Sequence, residues 1–277
     1  GFSWCCIGIC GLSLLFVFSE RSQALTINAF FFDDGDTFPK GESALPQPGN
    51  AAGGGDIQSV FQEAAGIWEQ VITDDFSVNV GFGWGSTGGV AVTRLVNTSG
   101  GRVTGAQILF DGDGSTGFFV DPTPSDSSEW MGTMTETFDD LGGGLINTGR
   151  YYDTATGEAN GRFDLLSTAL HELGHVLGLI TLFGPYEAET DSDGTVDITA
   201  PLPHPGTSIP VNNATGAHIT GALPKALMNA SYPADERRLP SDADILAIAQ
   251  VSQFEQVVLV PEPATWMLLL GGTVCML

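Results

Sequence analysis

The chain holds four histidines, and two of them fall in Leu170-His171-Glu172-Leu173-Gly174-His175-Val176-Leu177-Gly178-Leu179. On a helix, side chains four residues apart lie one above the other on the same face. Imidazoles so placed on His171 and His175 can bind one Zn²⁺ through nitrogen at about 2.0–2.1 Å. Glu172 stands between them, within reach of water activated by that metal. It is a candidate general base that need not be a ligand. The structural alternative is a buried helix whose two histidines are satisfied internally.

These residues need a helix with one buried side. Leu166, Ala169, Leu170, Leu173, Leu177 and Ile180 recur at helical spacing, which predicts a helix over 162–180. Thr168, His171, His175 and Gly178 form a second line, expected to face a cleft. A partner helix is expected from Asp56 to about Thr73, with Ile57, Val60, Phe61, Ala64, Ala65, Trp68, Val71 and Ile72 as its apolar stripe. Strands are expected at 25–32, 76–84, 88–96 and 103–110, the second from its alternation of apolar and polar residues. Residues 39–55 are rich in Pro, Gly and Ala and read as a loop. Residues 111–149 carry little helix signal and contain the turns Asp111-Gly-Asp113-Gly and Asp121-Pro-Thr-Pro. Beyond Leu182 no helical pattern is expected for some 35 residues. Ser241 with Asp244 three positions later reads as a capping box opening a last helix over 241–254.

Composition narrows the function. Hydrophobic residues make up 42% of the 277, enough for a sizeable core, and the formal net charge is −24. Such a balance argues against nucleic acid and against an anionic membrane surface, since both need clustered Lys and Arg. Cys5, Cys6, Cys10 and Cys275 all lie in the terminal apolar segments. The body therefore offers neither a disulfide framework nor a thiolate zinc site, and a metal there must be held by nitrogen and oxygen. Residues 4–18 are almost wholly apolar and lead to Ser22-Gln23-Ala24, a small-x-small pattern; residues 1–24 are expected to be a secretory signal peptide.

Two family resemblances follow from these motifs. Val260-Pro261-Glu262-Pro263-Ala264-Thr265-Trp266 and the apolar run to Leu277 resemble a PEP-CTERM sorting tail, read here over 261–277 as truncated because the closing Arg cluster of the pattern is not in the sequence. The resemblance implies export by a Gram-negative bacterium, processing by an exosortase, and an extracellular or cell-surface location with transient anchoring by the tail. The body, 25–260, resembles the metzincin zinc metallopeptidases in His171-Glu-Leu-Gly-His-Val-Leu-Gly-Leu179, in the helix and strands before it and in a Met after it. That resemblance implies an α+β fold: a twisted, mostly parallel sheet with two long helices over 25–180, then an irregular C-terminal subdomain over 181–260 that ends in a helix. It also implies hydrolysis of protein or peptide substrates.

In most metzincins the motif continues as H-E-x-x-H-x-x-G-x-x-H. Gly178 is present, but Thr181 occupies the third His position. The leishmanolysin group, with a long insertion before its third His, offers a closer likeness: His218 would then be the third metal ligand and Met228 the Met-turn residue. Arg237-Arg238-Leu-Pro-Ser241-Asp-Ala-Asp244 also resembles the end of such proteins. From the residues alone His204, Glu187 and Glu189 stay open as third ligands. Asp191, Asp193 and Asp197, and likewise Asp111, Asp113 and Asp121, are candidates for Ca²⁺ or for plain acidic turns. The Thr181 departure also leaves open a second class of function, a surface binding or structural module that keeps the fold without turnover.

Overall fold

The computed structural model describes residues 24–190, 193–231 and 233–260. The expected signal peptide (but for Ala24), Asp191 and the expected sorting tail at 261–277 lie outside the described residues. The protein is α+β. In chain order its elements are β1 (Thr26–Phe31), α1 (Ile57–Val71), β2 (Ser77–Gly85), β3 (Ala91–Ser99), β4 (Arg102–Asp111), β5 (Phe118–Phe119), β6 (Thr135–Asp140) and β7 (Leu145–Tyr152), then β8 (Phe163–Asp164), α2 (Leu165–Val176), α3 (Gly184–Thr190), β9 (Thr195–Asp197), β10 (Ser208–Asn212), β11 (His218–Ile219), β12 (Arg237–Leu239) and α4 (Asp242–Ser252). No helix among them is long and apolar enough to cross a membrane.

The main sheet has the order β1-β2-β4-β3. β1 and β4 flank β2 in parallel, and β3 runs antiparallel to β4 at the edge. Helix α1 is the crossover that two adjacent parallel strands require. Its stripe of Ile57, Val60, Phe61, Ala64 and Trp68 is buried, and the Trp68 indole donates to the Leu170 carbonyl of α2 at 3.0 Å. One apolar cluster runs continuously from Leu25 to Phe254, so α1, α2, α4 and the inner sheet face share a core.

Helix α2 is shorter at both ends than the 162–180 expected. At its start Phe163 and Asp164 pair with β5. Asp164 then caps the helix, accepting from the Ser167 N–H at 3.1 Å and the Ser167 hydroxyl at 2.7 Å. At its end Gly178 adopts φ 130°. A Cβ there would lie 2.0 Å from the Ser252 hydroxyl of α4. Gly178 is therefore a packing contact with α4 and not a cleft residue. Thr168 also leaves the expected cleft line: it is buried and its hydroxyl donates to the Asp164 carbonyl at 2.9 Å.

Several elements have no counterpart in the sequence expectation, among them one hairpin and one helix. The β6–β7 hairpin fills part of 111–149; its outer strand, Thr-Glu-Thr-Phe-Asp-Asp, is polar and without alternation. Helix α3 interrupts the supposed loop after Leu182. It opens on Gly184-Pro185, which reads as a breaker but is acceptable in a first turn, and it buries only Tyr186 and Thr190.

Candidate metal centre

Helix α2 carries His171, Glu172 and His175 with 6–7% of their surface exposed. The His171 and His175 rings lie 4.7 Å apart, centroid to centroid. His218 arrives from β11, its ring 5.1 Å from His171 and 4.9 Å from His175. The Nε2 atoms of His171 and His218 are 3.1 Å apart. One nitrogen from each of the three rings falls within 4.8 Å of the others. Among the described residues this is the one group of three or more His, Cys, Asp or Glu close enough to share an ion.

The outer ring nitrogens fix the tautomers. His171 Nδ1 lies 2.8 Å from the Leu227 carbonyl, and His175 Nδ1 lies 2.5 Å from the Leu179 carbonyl. A carbonyl only accepts, so each Nδ1 carries the proton and each Nε2 keeps its lone pair. Burial first, then the neighbouring imidazoles, hold His171 well below the usual histidine range; burial and His218 take His175 down to about 3. These rings are neutral at pH 7, the form that binds a metal. A zinc tetrahedron with arms of about 2.0–2.1 Å has edges of about 3.4 Å, close to the 3.1 Å between the two Nε2 atoms. The donor set and its spacing fit Zn²⁺.

Gly178 has a further consequence here. Its positive φ turns the chain so that residue 179 presents a carbonyl to His175, rather than carrying position 181 to the histidine cluster. Thr181 instead lines the cleft wall. The third nitrogen comes from His218, which follows Gly216 at φ 99° and Ala217 at φ 69°. Met228 is fully buried beneath α2: a Cβ on Gly174 would lie 2.3 Å from its sulfur. The Ile219 N–H donates to the Met228 carbonyl at 2.9 Å, tying the His218 strand to the Met228 turn. Both Leu227 and Met228 donate backbone N–H to the buried carboxylate of Asp244, at 3.1 and 2.8 Å.

The other candidates lie elsewhere. His204 Nδ1 is 3.3 Å from the Gly143 carbonyl and outside the cluster. Glu187 accepts from the Leu182 N–H and Glu189 from the Asp197 N–H. Asp111 accepts from Thr116 and Ser115, and Asp113 from the Ser115 N–H. Asp193 accepts from Thr195, and Asp197 from Ser208 and Thr195. These carboxylates close turns. Asp121 instead joins Asp164 in binding the fully buried Arg237, at 2.6 and 2.9 Å. The guanidinium also lies 3.9 Å from the centroid of the Trp130 ring. The cap of α2 is thus anchored from β12.

Set against known proteins, the chain matches no family model, no curated protein and no solved structure. What the site can do must follow from its own geometry. Glu172, His175 and His218 line a cleft of about 780 Å³, whose opposite wall is the edge strand β3. The Thr93 hydroxyl of that strand donates to Glu172 Oε2 at 2.7 Å. Burial raises the Glu172 carboxyl to about 7, against the lowering by Thr93. No sequence signal singled out Thr93; the alternation of the strand could have placed it on the helix side once β3 was known to lie against α2.

Proposed function

We propose that the protein is a zinc-dependent hydrolase of peptide bonds, acting outside the cytoplasm on protein or peptide substrates. The observation that carries this is the convergence of His171, His175 and His218 beside buried Glu172, at a cleft that Glu172, His175, His218 and the edge strand β3 line. The three imidazoles would hold Zn²⁺, which would supply a Lewis acid able to lower the pKa of water and polarise a carbonyl. Among the described strands β3 pairs only with β4, so its outer backbone N–H and C=O groups are open to an extended chain. A peptide laid there crosses the cleft in front of Glu172.

Glu172 takes a proton from water as the oxygen–carbon bond forms at the scissile carbonyl. It returns that proton to the leaving nitrogen as the carbon–nitrogen bond breaks. Thr93 holds the carboxylate in place by its hydroxyl. Leu227 and Leu179 hold the two helix imidazoles by their carbonyls. A metzincin-like relationship, with Met228 as the Met-turn residue, fits this reading. The apolar segment before Ala24 and the Pro-Glu-Pro tail support export and exosortase processing.

The test is Glu172→Gln. The amide cannot take the proton, so hydrolysis of an unfolded protein substrate should fall by about 10²–10⁴, with zinc content by mass spectrometry unchanged. An active variant with normal zinc would remove Glu172 as the base. A wild-type protein without stoichiometric zinc and without cleavage would leave a binding module instead.

A further inference from the structure

Basic residues are scarce in this chain: 9 Lys and Arg against 33 Asp and Glu. Eight of them are described, all but Arg21. Six are committed to the fold. Arg237 binds Asp121 and Asp164, while Lys225 and Arg238 both bind Glu236. Arg102, Arg150 and Arg162 donate to the carbonyls of Ser252, Pro240 and Asn50. The two that remain are Lys40 and Arg94, and both line the cleft that holds Glu172, His175 and His218. Lys40 is exposed and makes no ion pair among the described residues. Arg94 pairs with Glu42 at 2.9 Å, yet its side chain stays 44% exposed. Glu42 is itself held by the Gln107 amide at 2.8 Å. The two cations outnumber the one carboxylate on this part of the wall, in a chain of net charge −24.

The pleat places these charges relative to the reacting groups. Thr93 reaches Glu172, so its side chain stands on the helix side of the sheet. Arg94 therefore points to the other side, where its register partner Gln107 also stands. A peptide added along β3 alternates in the same way. Side chains on one of its faces look toward Glu172 and the histidines. Their immediate neighbours look toward Arg94 and Lys40.

Building on the hydrolase reading, we propose that Lys40 and Arg94 form a specificity subsite for an acidic side chain, Asp or Glu, next to the substrate residue that faces Glu172. The −24 charge repels acidic peptides at long range, but at about 0.15 M salt fields beyond about 8 Å are screened. The local pair then decides the preference.

The experiment uses the full chain loaded with zinc, at about 0.15 M salt, and two fluorescent peptides that differ only in Glu or Gln at alternate positions. Affinity is read by fluorescence anisotropy, and cleavage separately by chromatography. The Glu peptide should bind about fivefold tighter, the scale of an exposed ion pair. In the Lys40→Gln, Arg94→Gln double variant the ratio should fall to about one. Lys40→Glu alone, which leaves the Arg94–Glu42 pair in place, should turn the preference toward a Lys-containing peptide. Equal binding of the Glu and Gln peptides by the native protein overturns the subsite, as does a ratio that survives in the double variant or a Lys40→Glu variant that still prefers Glu. Binding with the expected ratio but no cleavage of either peptide keeps the charge selection and overturns hydrolysis, so the two failures are distinguishable.

Discussion

The two parts of the candidate metal centre are positioned by different physics. His171 and His175 sit on α2, where helical hydrogen bonds alone set their spacing. His218 sits on β11, a strand of two residues. What holds it is a set of distant contacts: Ile219 paired with Val211, Ile219 bonded to Met228, and Leu227 and Met228 bonded to Asp244 of α4. A helix carries its ligand geometry with it. The loop borrows its geometry from a buried carboxylate that does for it what regular secondary structure does elsewhere. Damage to the loop should therefore reach the metal through the fold, whereas damage to α2 should reach it directly.

The largest effect separates His218 from His204, the proline-flanked histidine that ranks second to it as third ligand. His218→Ala should lose stoichiometric zinc and hydrolysis together, while His204→Ala, outside the cluster and beside the Gly143 carbonyl, should keep both. Zinc by mass spectrometry on the two purified variants decides it. If His204→Ala is the variant that empties the site, the grouping of His218 with α2 is wrong.

The same contrast sets what could be read from the sequence. The H-E-x-x-H spacing, the stripe of α1 and the Ser241–Asp244 capping box are local patterns, and the structure has a helix at each. The ends of α2 carry local signs, Asp164 as cap and Gly178 just past the last turn, but the contacts that fix them, with β5 and with Ser252, are remote in sequence. Asp121 read as a turn or cation ligand because its partner Arg237 lies far along the chain. Asp244 was visible as a cap, but its bonds to Leu227 and Met228 had no local sign. His218 is expected from the likeness to the leishmanolysin group and from its spacing to Met228, whereas the contacts that bring it beside His171 and His175 are remote in sequence. Lys40 and Arg94 were ordinary surface charges until the fold placed them on one cleft.

Asp244 tests whether the loop depends on the fold in this way. Its carboxylate accepts from the Leu227 and Met228 N–H groups, from the Ser241 N–H at 2.9 Å and from the Ser241 hydroxyl at 2.5 Å. Asp244→Ala leaves these donors buried without an acceptor, at about 1–3 kcal/mol for each group that water cannot reach. A loss of roughly 3–5 kcal/mol in chemical denaturation is expected. Zinc affinity should fall with it, since the Leu227 carbonyl that orients His171 belongs to the same turn. Unchanged stability together with unchanged zinc affinity would show that the turn holds itself.

The smallest expected effect lies where the two parts touch. Gly174 is on the His171 face of α2, three residues on. A Cβ there would meet the Met228 sulfur at 2.3 Å, its methyl at 3.0 Å and Ile248 Cδ1 at 3.3 Å. Overpacking of this kind costs about 1–3 kcal/mol. Against it, Ala in place of Gly within a helix gains about 1 kcal/mol, and Met can swing aside through its flexible side chain. The net loss for Gly174→Ala should be no more than about 2 kcal/mol, with zinc content kept because the carbonyls of Leu227 and Leu179 still hold the rings. Met228→Ala alone opens a cavity and should cost about 2–5 kcal/mol. Combined, the new methyl occupies part of that cavity, so the double variant should be more stable than the sum of the two losses predicts, by about 1 kcal/mol. Equilibrium denaturation of the four proteins measures this coupling. Simple additivity would mean that Met228 is not what requires glycine at 174, and that α2 and the Met228 turn meet without constraining each other.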